Sequence, residues 1–473
     1  MIDTKALRSR VLDLAIRGKL TEQLPSDGTA EELYQQIQAE KQALIKEGKI
    51  KKEKLLPPIK SDEIPFEIPG SWKWLRFSEI CLIINGDRGK NYPAKSSLKK
   101  DGIPFISALN LNGKGINVDD NLLCLSDEQY ERLGNGKLIK DDTAICIRGS
   151  LGKHGRYPFE KGAIASSLVI TRFFIEKQTL GNFEMLWLDS TLFPLEIKKY
   201  DSGTAQPNLA AENLSKFLYP FPPLAEQKRI VERVEEIFRL LDTIDEAQEK
   251  YSADSQILKA KLITAGIQGK LTQQLPSDGT AEELYQQIQA EKQKLIKEGK
   301  LKKEKPMPAI KDEEIPFEIP GNWKWVRFGD LMWNRDSERI PVSVADRRKL
   351  KKIYDYYGAS GVIDKVETYL FDEKLLLIGE DGANLLSRST PIAFLAEGKY
   401  WVNNHAHVLG FYVADYLDFV MHYINSISLV PYVTGSAQPK LNQDNMNKIP
   451  VPLPPLAEQK RIVEVLERVV GVL

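Results

Sequence analysis

The sequence predicts an α+β fold: two α/β domains separated by long repeated helices that form an antiparallel coiled coil, in a pseudo-two-fold, circular arrangement. Three observations predict it. The first is the stretch from Pro222 to Ala265, which opens PPLAEQKRIVERVEEIF and has no glycine or proline after its first two residues. Ile230, Val234, Ile237, Leu241 and Ile244, then Gln248, Tyr251, Ser255, Leu258 and Leu262, fall at alternating steps of four and three. That is a heptad seam, and a seam needs a partner helix. A helix of about forty residues is roughly 60 Å long, beyond the core of an ordinary domain. The second observation is the closing PPLAEQKRIVEVLERVVGVL, from Pro454 to Leu473, which repeats that opening and continues the seam through Ile462, Leu466, Val469 and Leu473. The third is a pair of repeated borders around two dissimilar inserts.

Repeats of this length define the architecture. GKLTEQLPSDGTAEELYQQIQAEKQALIKEGKIKKEK…IPFEIPGSWKWLRF, Gly18 to Phe77, returns from Gly269 to Phe328 with roughly five positions in six identical. SGTAQPNL from Ser202 and FPPLAEQKRIVE from Phe221 return as TGSAQPKL from Thr434 and LPPLAEQKRIVE from Leu453. Leu7 and Val11 correspond to Leu258 and Leu262, so the first helix continues the seam where the last one stops. The chain reads as a circle of two half-units, cut inside a copy of the helix that lacks about ten residues of its middle. The predicted boundaries are 1–20 for the first helix, 21–63 for a repeated segment, 64–221 for one variable domain and 222–268 for the central spacer helix. A second repeated segment follows at 269–314, a second variable domain at 315–453 and the distal helix at 454–473.

Each border has local logic. Thr29 and Glu32 form a capping box before a helix that Gly48 ends, and Thr280, Glu283 and Gly299 repeat it. KIKKEK reads as a basic, solvated linker, with a phosphate-binding patch as the alternative. Pro57, Pro58, Pro65 and Pro69 impose extended chain up to Trp72 and Trp74, which read as packing residues rather than base-stacking ones. WKWLRF alternates as the first strand of the next domain. Inside the inserts, PFISALNL, DTAICIRGS, SSLVITRFFI, LLLIGEDG, TPIAFLA and WVNNHAHVLGFYV read as strands, and Asn182–Lys199 and Ala414–Ser428 as helices.

Lys and Arg number 66, as do Asp and Glu, so the zero net charge argues against a protein that coats nucleic acid nonspecifically. It leaves room for a reader with locally placed positive charge. Cys81, Cys124 and Cys146 are odd in number and lack metal spacing, which suits reduced thiols. No apolar run spans a membrane, and MIDTKALRSR lacks the apolar core of a secretory signal, so a cytoplasmic location is expected.

No phosphate loop, dinucleotide fingerprint, H-E-x-x-H or [ND]-P-P-aromatic tetrapeptide occurs, so no catalytic residue is assigned. His405 and His407 share one face of the expected strand in WVNNHAHVLGF. They would make a metal site only if folding brought Glu380 and Asp381 in, and a strand presenting polar groups is the reading preferred. Several loops suit DNA. Arg148, Ser150, Lys153, His154 and Arg156 lie on a glycine turn, and Arg88, Lys90 and Asn91 on a second polar loop after Asp87, with Lys95, Lys99 and Lys100 behind. In the second insert Arg335, Arg339, Tyr356, Tyr357, Asn384, Arg388, Asn403, Asn404 and His405 are comparable. Arg can pair bidentately with guanine and Asn with adenine. The plainer reading is ordinary surface loops.

Two variable inserts between repeated borders, each closing with GTAQPNL or GSAQPKL and then PPLAEQKRIVE, resemble the specificity subunit of type I restriction–modification systems over essentially the whole chain. The resemblance implies that each variable domain reads one half of a bipartite DNA site and that the helices set the gap. It implies a non-catalytic subunit that binds no cofactor itself. Two methyltransferase subunits using S-adenosylmethionine, and restriction/translocase subunits using ATP and Mg²⁺, would be its partners beside double-stranded DNA. Near-identical borders presenting one surface twice suit a partner that docks twice, and dissimilar inserts suit an asymmetric site. The alternatives are an assembly scaffold whose inserts bind protein, and an enzyme acting alone.

Overall fold

The computed structural model describes every residue except 53–55, 120–121, 201–207, 304, 414–415, 436–437 and 472–473. The chain forms two compact units, Met1–Glu249 and Lys250–Leu473, divided within the long predicted helix.

Unit 1 contains the helices α1 (Thr4–Ile16), α2 (Ala30–Lys46), α3 (Lys177–Asp189), α4 (Leu192–Tyr200) and the first part of the 44-residue α5 (Leu224–Ile267). α1 lies antiparallel to α5. Thr4 donates its hydroxyl to Asp245, and Arg8 pairs with Asp245 at 3.0 Å and Asp242 at 2.7 Å. Further along, Leu12, Ala15 and Ile16 share one core with Ile230, Val231 and Val234. Leu241 is buried, and Ile237 and Ile244 are half-buried. The facing stripe of α1 is therefore Thr4, Arg8, Leu12 and Ala15. Leu7, expected on the seam, is 43 % exposed, because polar pairs occupy that end of the contact. Tyr251 and Leu258, expected seam residues farther along α5, are 56 % and 43 % exposed, so the apolar seam is not filled throughout.

The strands of unit 1 are β1 (Lys73–Arg76), β2 (Cys81–Asn85), β3 (Ile103–Ile106), β4 (Cys124–Leu125), β5 (Lys137–Leu138), β6 (Thr143–Cys146), β7 (His154–Arg156), β8 (Gly162–Ile164), β9 (Leu168–Phe173) and β10 (Leu218–Phe221). β1 pairs with β10 and closes the domain at its border. Two four-stranded sheets have the orders β2-β9-β6-β7 and β4-β3-β8-β5, with β3 parallel to β8. Strands β6 and β9 are apolar on both faces because each face meets a core. Ile145 and Val169 point to the helical core, while Ala144, Cys146, Leu168 and Ile170 point between the sheets.

Unit 2 repeats this plan. α6 (Ala281–Lys297), α7 (Leu417–Ser426) and α8 (Leu456–Val470) accompany the end of α5. Its strands are β11 (Lys324–Arg327), β12 (Met332–Asn334), β13 (Tyr354–Gly358), β14 (Gly361–Val366), β15 (Phe371–Asp372), β16 (Leu375–Gly379), β17 (Ala393–Ala396), β18 (Lys399–Val402), β19 (Ala406–Phe411) and β20 (Pro450–Leu453). β11 pairs with β20, and the sheets run β12-β19-β16-β17 and β14-β13-β18-β15. Inserts without convincing sequence similarity thus share one sheet order. Leu376, Ile378 and Leu409 face the helices, and Leu375, Leu377 and Val408 face the second sheet. Ile462 and Leu466 of α8 pack against Gly266, where a Cβ would lie 3.1 Å from Ile462.

The repeated letters become repeated contacts. Glu226, in the first turn of α5, accepts from Trp72 Nε1 at 2.8 Å and Gln23 Nε2 at 2.8 Å; Glu458 accepts from Trp323 at 2.8 Å and Gln274 at 2.7 Å. Arg229 grips Asp27 bidentately, as Arg461 grips Asp278. Both predicted capping boxes form, and Gly48 and Gly299 each take φ of +71°. One predicted strand divides. WVNNHAHVLGFYV becomes β18 and β19, which belong to different sheets.

Candidate nucleic-acid interface

Antiparallel order decides which loops meet. β2 and β6 end where β9 begins, so the loops after Asn85, after Cys146 and before Leu168 share one sheet end in unit 1. In unit 2 the loops after Asn334, after Gly379 and before Ala406 share the corresponding end.

In unit 1, Ile147 accepts a hydrogen bond from the Leu209 N–H at 2.9 Å, and Arg148 Nε donates to Asn208 Oδ1 at 3.2 Å. The segment leaving the domain is thereby fixed beside the turn. Gly149 and Gly152 adopt φ of +80° and +82°, letting the turn reverse tightly. Arg148, Ser150 and Lys153 are exposed. Arg88, Lys90 and Asn91 are exposed on the neighbouring loop, where Arg88 reaches the Ser166 carbonyl at 3.3 Å and Asn91 the Arg132 carbonyl at 2.8 Å. Beneath them Asp87 accepts from the N–H groups of Gly89 and Gly134, each at 2.7 Å, which hold its carboxyl below the usual range. This sheet end therefore presents Arg88, Lys90, Arg148 and Lys153 together. SGTAQP, 202–207, lies outside the described residues.

Two residues assigned to the turn are elsewhere. His154 and Arg156 are on β7, turned inward against α3. His154 is 4 % exposed, with Nε2 3.2 Å from Asp189; burial alone would lower its pKa, but Asp189 and the Gly152 carbonyl outweigh burial and raise it. Arg156 donates to Asn182 at 3.2 Å, Asp141 at 3.2 Å and the Lys177 carbonyl at 2.9 Å. Both are tied into the domain by these bonds, because a polar or charged group turned inward must find partners.

Unit 2 differs in chemistry. Arg335 is bidentate to Glu338 at 2.7 Å, pairs with Glu373 and stacks between Trp333 and Phe371. Arg339 donates to Glu380 at 2.7 Å and to the Ala406 carbonyl at 2.7 Å. Tyr356 is 1 % exposed, and its hydroxyl oxygen accepts from the Val342 N–H at 2.9 Å. Tyr357 is half-buried and stacks on Phe394. Asn384 Oδ1 accepts from the N–H of Thr390 at 3.1 Å and shapes its own loop. Arg388 donates to the carbonyls of Ile424 and Ile427 at 3.2 and 2.7 Å. Asn403 is buried and accepts from the His405 N–H at 2.8 Å. As placed, Arg335, Arg339, Tyr356, Arg388 and Asn403 are internal supports, each already carrying its protein partners. Asn404 and His405 are exposed at the sheet end.

His405 and His407 do not share a strand face. His405 sits in the turn between β18 and β19, with Nδ1 2.9 and 3.0 Å from the Asp381 oxygens, while His407 is 1 % exposed. Asp336, Glu380 and His407 come close enough to suggest a metal. The donor set does not fit one. His407 Nδ1 lies 2.6 Å from Asp336 and Nε2 2.8 Å from the Leu441 carbonyl, so both ring nitrogens face oxygens. The cations of this cluster are Arg339 and Lys440, 2.7 and 3.1 Å from Glu380. Burial would raise the carboxyls of Asp336 and Glu380, but His407 and Arg339 hold them below their ordinary range.

Asn208 and Lys440 were not among the residues assigned from sequence. They are the one position in QPNL and QPKL where the repeats disagree, and each bridges to the turn, Asn208 to Arg148 and Lys440 to Asp381. One backbone frame therefore carries two different side-chain sets. Ser436 and Ala437 of the second copy lie outside the described residues.

The fold and this interface define a class: two α/β domains mounted on repeated helical borders, each presenting polar loops at one sheet end. Residues 69–250 and 320–471 match the family described as the type I restriction modification DNA specificity domain, and the chain belongs to that family. It is 26 % identical over 537 aligned residues to the type I restriction enzyme EcoEI specificity subunit of Escherichia coli, spanning 98 % of this chain and 88 % of that one. The EcoAI specificity subunit, also from Escherichia coli, is 31 % identical over 385 residues, 69 % of this chain and 62 % of that one. The fold is shared with the HsdS subunit from Thermoanaerobacter tengcongensis, at TM-score 0.53 and 16 % identity, covering 86 % of this chain and 92 % of that one. It is also shared with a chain from a study of complex assembly and conformational transition of the type I R-M system, at TM-score 0.59 and 14 % identity, covering 86 % and 93 %.

Proposed function

We propose that this chain is the DNA sequence-specificity subunit of a type I restriction–modification complex, with each variable domain reading one half of an asymmetric bipartite site in double-stranded DNA. It is a specificity subunit and not an enzyme. One observation carries the reading: the same sheet end occurs in both units with Arg148 and Asn208 at one bridge and Asp381 and Lys440 at the other. A shared frame with unlike side chains suits two readers of unlike half-sites. The helical region sets the gap between the half-sites, and the repeated borders, held alike by the twin Trp–Glu and Arg–Asp contacts, offer one docking surface twice, to two methyltransferase subunits. Restriction/translocase subunits join them. S-adenosylmethionine, ATP and Mg²⁺ serve those partners in the cytoplasm, and this chain binds no cofactor.

Exchanging Ser78–Asp201 for the matching insert of another such subunit, with methylated adenines mapped in cells that also make the methyltransferase, tests this. One half of the methylated sequence should change. A change in both halves, or none, refutes separate readers. Inserting or deleting whole heptads between Val234 and Leu262 should alter the tolerated gap and leave both halves as they were.

A further inference from the structure

We infer that the Asp381–His405 pair determines one base of the half-site read by unit 2, through the imidazole Nε2 contacting an exocyclic amino group in the major groove. The inference rests on the reading of unit 2 as a DNA reader. A surface histidine ordinarily turns both nitrogens to water. Here Nδ1 lies within 3.0 Å of both Asp381 oxygens, which settles the ring plane and places the proton on Nδ1. The Nδ1–H tautomer leaves Nε2 as the acceptor, and half of the His405 side chain remains exposed. The turn cannot drift. The His405 N–H donates to buried Asn403 at 2.8 Å, and the His405 carbonyl accepts from the Glu380 N–H at 2.9 Å.

Charge decides between a phosphate and a base. Lys440 and Arg339 are committed to Glu380, whereas Asp381 faces the His405 ring. A carboxylate beside the exposed ring repels phosphate oxygens. It favours the electropositive amino hydrogens of adenine N6 or cytosine N4, which seek acceptors. Asp381 is a positioning residue; His405 makes the contact.

The test maps methylated sites in cells carrying the methyltransferase with His405→Ala, Asp381→Ala or Asp381→Asn chains. His405→Ala should relax discrimination about tenfold at one base of one half-site, as loss of one base-edge hydrogen bond implies. Asp381→Ala should relax the same base. Asp381→Asn keeps an acceptor for Nδ1–H and should restore most of the discrimination, which a merely structural role would not predict. Should His405→Ala abolish methylation, duplexes selected from a random pool by the purified complex are sequenced instead, with His405→Gln as a second variant. One relaxed base supports the inference there too. An unchanged sequence in a complex that still discriminates overturns the inference alone, while no preferred sequence even for the unaltered chain overturns the reading beneath it.

Discussion

Trp72 donates its indole N–H to Glu226 over 2.8 Å, tying the chain just before β1 to the first turn of α5. Trp323 and Glu458 repeat the bond at 2.8 Å. Both carboxyl groups are buried, so their oxygens depend on these N–H donors and on Gln23 or Gln274.

Glu226→Ala should destabilise the chain by about 2 kcal/mol, since it strands the buried Trp72 indole donor. Trp72→Phe keeps the edge contact with Phe183 and should cost about 1 kcal/mol for the lost bond. Urea unfolding of the single and double variants measures both, and the double should cost less than the sum. Glu458→Ala should behave as Glu226→Ala does.

Acid should weaken unit 2 through Glu314. Arg327 bonds both its oxygens at 2.8 Å and the Lys311 N–H adds another bond, bringing its pKa down to about 2. A carboxyl whose pKa falls on folding contributes stability above its unfolded value of 4.5 and loses it as pH drops toward about 2. Glu314→Gln should flatten that acid limb by about 1 kcal/mol, less than the shift alone converts to, because the side chain is 30 % exposed and solvent screens the pair. Thermal unfolding at pH 6 and pH 3 separates the cases.

His407→Ala removes the ring that links Asp336 to the Leu441 carbonyl and should cost about 2 kcal/mol. A chelator, by contrast, should leave the melting temperature of the unaltered chain unchanged, as should added zinc, because Arg339 and Lys440 balance the carboxylates. A zinc-dependent rise would contradict the ionic network.

Gly18 follows α1 at φ +65°, and a Cβ there would meet Pro69 Cγ at 2.4 Å; Gly269 matches it at +68° and 2.5 Å from Pro320. Either Gly→Ala change should cost about 2 kcal/mol from left-handed strain together with the clash. Circular dichroism during denaturant unfolding measures it.

How much of this was legible follows from the range of each interaction. The capping boxes and α5 rest on bonds within a few residues, and β1 and β11 show in local alternation, so their letters suffice. His154 and Arg156 looked like turn residues because GKHGR is polar and rich in glycine. Their places were set by Asp189 and Asn182, more than twenty residues away on α3. Arg335 and Arg339 were read as DNA contacts because Glu373 and Glu380, which help hold them, are distant in sequence; Glu338, the bidentate partner of Arg335, lies only three residues on. His405 and His407 parted because Asn403 breaks the strand by bonding to the turn, which alternation alone does not reveal.

From sequence alone came the two repeated borders, the long heptad helix and the family resemblance, since repetition and period are properties of the string. Tertiary structure decided which polar side chains face outward. A polar group is available to a ligand only where its contacts with other strands and helices leave part of it at the surface, and those contacts are chosen by sheet order. Hence Arg148 and His405 stand exposed at a sheet end, while Arg156 and His407, a few residues away, are held inside.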